Sequence, residues 1–477
     1  MKKIISFIFA LTLTSACLTN FTFAADTENS LYSTNIASDI VNFQKWLINS
    51  EDSFSFQDNE LHINKELDVF DLCQMRYAIL EQDSEIDLTD TPTIYNVCTD
   101  IKVESPEKKM LDEKFINGQM NFAVELFKNA TDENESSLIS PYSVMQALAM
   151  TTNGAKGKTL EEMEEALGGV DINDLNSYLV SFDSQLRKSV VMRNVNSIWA
   201  VKDLERMSPK KSFLRKMVKY YDADFFLAPF DNNTLDELNK YVSDNTDGCI
   251  PNALDSINPD DTMYLINSVI FNAEWSKSYY GEYKPYYTFT DVYGNEQPCA
   301  LMGSREKYIG DENTDGFVKT YKHTDIAFAA LLPHESVDIN DYIDNLTGEK
   351  LNNLLTQESN EQALCKLLKF GFRYENNLKD ELKAMGINEA FEKDADFTNL
   401  SLADSPTYIN DVSHVTYVNV NEEGTFAGAG TIVSIIAGSG MPEKRVILDR
   451  PFVYCIFDTN TGIPLYIGTI MSMDDTE

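Results

Sequence analysis

The sequence predicts an α+β fold, helix-rich in its N-terminal part and strand-rich beyond it. Three observations carry that expectation. From Asp112 to Gly168, apolar residues recur every three or four positions. From Tyr264 onward they gather into short, nearly continuous runs, as in strands covered on both faces. The two regimes follow one another rather than alternate, which argues against a wound parallel sheet. With 477 residues, 43% of them hydrophobic, the chain can form one large domain plus an extension, or several modest ones.

Taken in order, residues 1–24 have the grammar of a signal peptide. Met1-Lys2-Lys3 is basic and bacterial in type, Ile4 to Leu13 is apolar but too short to span a bilayer, and cleavage is expected near Ala24. Cys17 offers lipid anchoring as an alternative, although Thr14 stands where bacterial lipoproteins usually carry leucine. Residues 25–111 form an N-terminal extension without a motif, ending in a linker over Glu104 to Lys109. Cys73 and Cys98 are its only cysteine pair and the best candidates for a disulfide. Ile116, Met120, Val124 and Phe127 then mark an amphipathic helix. Ser140-Pro141 supplies an N-cap and a first-turn proline for the next helix. Thr159 and Glu162 are spaced as a capping box, and Gly168 ends that third helix. Strands are expected over Tyr264 to Phe271, Ile326 to Leu332, Val415 to Val420, Phe452 to Phe457 and Leu465 to Met471. Cys455 reads as a buried free thiol.

Composition and motifs exclude several functions. The 39 Lys and Arg against 76 Asp and Glu leave a formal charge of −37, which repels nucleic acid and anionic lipid. No cysteine or histidine spacing suits a metal, and no cofactor is expected. Gly154 to Thr159 resembles the end of a phosphate loop, but residue 152 is Thr and no strand precedes it, so a turn between helices is expected. Gly438-Ser439-Gly440 lacks the glycine spacing of a nucleophile elbow. His323 and His334 sit in polar surroundings. Nothing points to an enzyme.

The stretch from Asp112 to the C-terminus resembles a complete serpin domain. Leu138-Ile139-Ser140-Pro141-Tyr142-Ser143-Val144, Gly154-Ala155-Lys156-Gly157, Thr246-Asp247-Gly248, Leu265-Ile266-Asn267 with Trp275, Asp396-Phe397, Pro451-Phe452 and Gly468 match the family's segments in order and spacing. The resemblance implies three β-sheets, an exposed reactive-centre loop over about 422–450, and a serpin domain over 112–477. It also implies suicide inhibition of a target protease in a covalent 1:1 complex, by a monomer with no expected use of heparin. Ser140, Ser143, Asn267 and His414 resemble the shutter beneath the central sheet, and Trp275 the breach at its head.

Glu422-Glu423-Gly424-Thr425-Phe426-Ala427-Gly428-Ala429-Gly430-Thr431 resembles the hinge of inhibitory serpins, with Phe426 in place of a glutamate and glycine at 428 and 430 where alanine is commonest. Small residues followed by β-branched Ile432, Val433, Ile435 and Ile436 suit a loop that later becomes a strand. With period two, Thr425, Ala427, Ala429, Thr431, Val433 and Ile435 share one face and Phe426, Gly428 and Gly430 the other. Counting from the hinge places the scissile bond at Gly438–Ser439, while counting back from Pro451 favours Gly440–Met441. Small and aliphatic residues there imply an elastase- or subtilisin-like target. A papain-like cysteine protease and a non-inhibitory binding protein are the alternatives.

Overall fold

A computed structural model describes residues 86–99, 101–186, 192–279, 287–425 and 444–475. The chain divides into two compact units, Met1–Ser84 and Glu85–Glu477, and all described residues belong to the second.

The local signals for the first helices are realised in two of three cases. Asp112 caps the helix Glu113–Ala130 by accepting the Phe115 N–H at 2.9 Å, and Met120, Val124 and Phe127 face the core. Ser140 caps Pro141–Thr152, with Pro141 in the first turn, and this helix is buried along its whole length. The expected capping box is not formed. The third helix, Gly157–Ala166, starts two residues before Thr159, and Lys156 precedes it without a side-chain cap. Thr159 Oγ1 instead accepts the Asp396 N–H at 3.0 Å, and the Glu162 carboxylate accepts the N–H groups of Asn388 and Glu389. A distant segment has claimed the two capping side chains. Gly168 ends the helix at φ +103°, packed so close to Gly118 that a Cβ would lie 2.9 Å from its Cα.

Among the described residues there are nine α-helices, two eight-stranded sheets and a two-stranded hairpin, Tyr287–Thr290 with Glu296–Cys299. Across the first sheet the strands run Tyr95–Asn96, Asp224–Ala228, Met192–Val201, Met263–Phe271 and Val412–Val420, with Phe370–Asn377 beyond. The short strands Gly424–Thr425 and Ala273–Glu274 complete it at one end. The second sheet runs Lys444–Ile447, Gln362–Leu368, Leu301–Gly310, Thr314–Thr320, Ile326–Pro333, Phe452–Asp458, Pro464–Ile470 and Ser137–Ile139. The buried helix Pro141–Thr152 touches both sheets, at Met263–Phe271 and Pro464–Ile470. The apolar run read as a doubly covered strand is buried at all its positions. Gly468 has no room for a side chain, since a Cβ there would sit 2.1 Å from the Ser137 carbonyl oxygen.

The second unit begins before Asp112, the start of the family pattern. Tyr95–Asn96 extends the first sheet along Asp224–Ala228, and Val97 donates its N–H to Phe225 O at 2.9 Å. Val97 and Cys98 are buried, and Lys109 donates its N–H to Ser177 O and Ser181 Oγ. Short β-pairings of this kind leave no periodic trace in a two-residue segment. Cys98 is a free buried thiol, as is Cys455, while Cys73 lies outside the described residues.

Candidate functional site: the head of the central sheet

Met263–Phe271 and Val412–Val420 run parallel and are paired from Leu265↔Val412 to Val269↔Thr416. Past Thr416 the two strands part. The mouth of the resulting slot holds Gly424–Thr425, antiparallel to Val420 on one side and to Ala273–Glu274 on the other. Two residues of the expected hinge therefore already lie as a strand in the slot. Thr425 is 1% exposed, and its hydroxyl shares a 2.5 Å hydrogen bond with the Tyr321 hydroxyl beneath the sheet.

The turn leading into this strand is held closely. Asn421 Oδ1 accepts the N–H groups of Glu423 and Gly424, at 2.9 and 3.2 Å. Three successive carbonyls are bound from one neighbouring segment: Trp275 Nε1 donates to Asn421 O at 2.9 Å, the Tyr279 N–H to Glu422 O at 2.9 Å, and the Trp275 N–H to Glu423 O at 2.7 Å. The Glu422 carboxylate pairs with Lys369. Hinge residues Glu422, Glu423, Gly424 and Thr425 thus converge with Trp275. Ala427, Gly428, Ala429, Gly430 and Thr431, and both candidate bonds, Gly438–Ser439 and Gly440–Met441, lie outside the described residues.

Lower in the sheet, the four expected shutter residues also come together. His414 is opposite Asn267 across the junction of the two strands. Its Nε2 accepts the Ser140 N–H at 3.0 Å, and Ser140 Oγ donates to Leu465 O at 2.8 Å. Burial holds the imidazole down to about 4, so it is neutral, as an acceptor must be. Asn267 does not bond to His414. Its Nδ2 donates to Asn196 Oδ1 at 2.5 Å, while Asn267 Oδ1 and Ser143 Oγ are buried without a partner among the described residues.

Several residues at the head of the sheet escape sequence reasoning. Tyr321 stacks on Trp275 at 4.4 Å, and Tyr279 meets Trp275 edge-on at 5.9 Å. Lys319 is fully buried and pairs with Glu306 at 2.5 Å. Burial lowers the lysine's proton affinity, and Glu306 partly restores it. One signal could have found it: Phe317, Lys319 and Tyr321 share a parity, so a charge falls on the core face of a strand.

Two packed sheets and a slot at the head of one of them, whose mouth is filled by the two-residue strand Gly424–Thr425, form a scaffold of the protease-inhibitor type. The chain belongs to the serpin family, whose profile (serine protease inhibitor) matches residues 117–473. Family members act as protease inhibitors rather than enzymes, and some do not inhibit. Among similar chains is an uncharacterized serpin-like protein of Thermococcus kodakarensis, 27% identical over 388 residues, covering 79% of this chain and 88% of the relative. Leukocyte elastase inhibitor of Sus scrofa is 26% identical over 380 residues, covering 76% of this chain and all of that one (100%). Among solved structures, the thermophilic serpin tengpin in its native state is 41% identical with TM-score 0.75, covering 80% of this chain and 100% of that one. The same protein in its latent state is 39% identical with TM-score 0.67, covering 76% and 99%.

Proposed function

We propose that this chain is a secreted inhibitory serpin that traps an elastase- or subtilisin-like serine protease in a covalent 1:1 complex. The observation that carries this reading is the position of Gly424–Thr425, already a strand in the slot at the head of the central sheet. A chain that enters there and continues would run between Met263–Phe271 and Val412–Val420, and after Phe426 its residues are small and then mostly β-branched. The signal-peptide grammar of residues 1–24 supports export.

In this mechanism the protease supplies the nucleophile. It attacks the carbonyl carbon of Gly438, or of Gly440 in the other register, and the bond to the following nitrogen breaks. The new amine of Ser439 or Met441 takes up a proton and leaves with the downstream chain. The upstream loop, now an acyl ester of the protease, inserts before water can release it, and the attached protease is carried along and distorted.

Incubation with elastase-, subtilisin-, trypsin- and papain-like enzymes, read on a denaturing gel, tests the proposal. A band at the summed mass with one of the first two is expected; a complex with the papain-like enzyme alone would move the target to the cysteine class. Cleaved inhibitor beside fully active protease throughout the panel would sink the inhibitory reading. Thr425→Arg supplies the control: the site is already in the sheet and 1% exposed, so a guanidinium there cannot be buried, the hinge is displaced from the slot, insertion is blocked and the variant becomes a substrate.

A further inference from the structure

The contacts of Lys319 exceed what packing requires. Its ammonium lies 4.2 Å from the centre of the Tyr279 ring and 5.5 Å from that of Trp275, with Glu306 at 2.5 Å as its anion. Only 2% of the lysine side chain and 15% of the glutamate are exposed. An apolar residue of similar length would fill the same space without the cost of taking two charges out of water, so stability alone gives little reason for the pair. Its neighbours suggest another. Trp275 and Tyr279 are the residues that bind the carbonyls of Asn421, Glu422 and Glu423, from which the loop departs. Two positions further along the chain, Tyr321 stacks on Trp275 and bonds to Thr425. Lys319 and Tyr321 thus both contact the Trp275 ring.

We infer that Lys319 and Glu306 form a positioning pair for loop insertion: they lock Trp275 and Tyr279, and through them hold the hinge at two inserted residues until the loop is cut. This rests on the insertion reading given above. Widening the slot past Thr425 would displace the segment that carries Trp275 and Tyr279 and binds the hinge carbonyls, and a cation held against both rings and tied to a carboxylate resists that shift. Once the loop has fully entered, neighbouring strands hold the hinge on both sides and the pair is no longer needed.

The test is the double variant Lys319→Met with Glu306→Gln, which leaves no buried charge unpaired, beside the wild type. Both are warmed uncut, and spontaneous insertion is followed as loss of inhibition together with gain of resistance to urea. Melting temperatures of the cut forms are measured in parallel. The double variant is expected to insert about tenfold faster, while its cut form melts within a few degrees of the wild-type cut form. A double variant that inserts at the wild-type rate overturns the positioning role. So does one whose cut form is destabilised as much as its uncut form, since the pair would then be ordinary core. A wild type whose cut form is no more stable than its uncut form removes the insertion reading itself, and the positioning role with it.

Discussion

His414 illustrates how much a single buried side chain beneath the central sheet can govern. Burial keeps its imidazole neutral down to about pH 4 in the native protein, whereas in the unfolded chain it titrates near about 6.5. Between those values the unfolded chain holds a proton that the native one does not, so native stability falls as pH falls through the window. The contribution is roughly 3 kcal/mol once pH is below about 4. His414→Gln, whose amide oxygen can still accept from Ser140, should remove this dependence. Denaturant titrations of both proteins from pH 7 to 4 should show their stabilities converging as pH falls; a constant difference would refute the assignment. Ser140, His414 and Trp275 are legible in the sequence because their neighbours in the chain carry a pattern. Tyr279 is not, because its importance comes from a contact between a turn and distant strands, which no local spacing encodes. Lys319 is legible only as a charge on the core-facing parity of its strand, and its partners Glu306, Trp275 and Tyr279 are not.

For whole elements the sequence is informative where burial imposes a period. The runs ending in Phe271, Leu332 and Phe457 become strands within one or two residues of expectation. It is silent on Tyr95–Asn96, a strand made by its partner rather than by its own composition. That strand yields a prediction. A chain starting at Glu85 should keep the fold, whereas one starting at Asp112 loses the pairing to Leu227 and Phe226 and exposes the surface now covered by Val97 and Cys98. Burial of two such side chains is worth roughly 2–5 kcal/mol. At this domain size that should lower the melting temperature by roughly 5 °C. Equal melting temperatures for the two chains would show that residues before Asp112 add nothing to the domain. The capping box at Thr159 makes a complementary point: the motif is present, and tertiary contacts with Asp396, Asn388 and Glu389 redirect it.

At the scale of the molecule, the inhibitory reading requires that the native state not be the most stable one available. Insertion of the loop would add roughly ten ladder hydrogen bonds at about 1 kcal/mol each. It would also bury Val433 and Ile435, at about 1.5–3 kcal/mol apiece. That sum rivals the whole stability of a typical domain, about 5–15 kcal/mol. Cutting between Ala437 and Met441 should therefore raise the melting temperature by tens of degrees. Thermal scans of intact and nicked protein, with the cut located by mass spectrometry, check this. A nicked form that melts with the intact one would show that the loop has nowhere to go.

The inward-facing Thr425 has a further consequence, which concerns phase rather than energy. A strand assigns its residues to two faces by counting from the first one placed, and here that residue is already placed against Tyr321. Were the loop to insert, every later position in it would inherit its side from this origin, as codons inherit a frame. On insertion of the loop, one residue added between Ala427 and Gly428 would turn Val433 and Ile435 outward and bring Gly428 and Gly430, which otherwise share Phe426's face, toward the core. Two added residues would restore the frame although the loop is then longer still. Stoichiometry of inhibition should thus be worse for the single insertion than for the double. A loop acting as a plain tether would show the opposite order, with damage growing steadily with length.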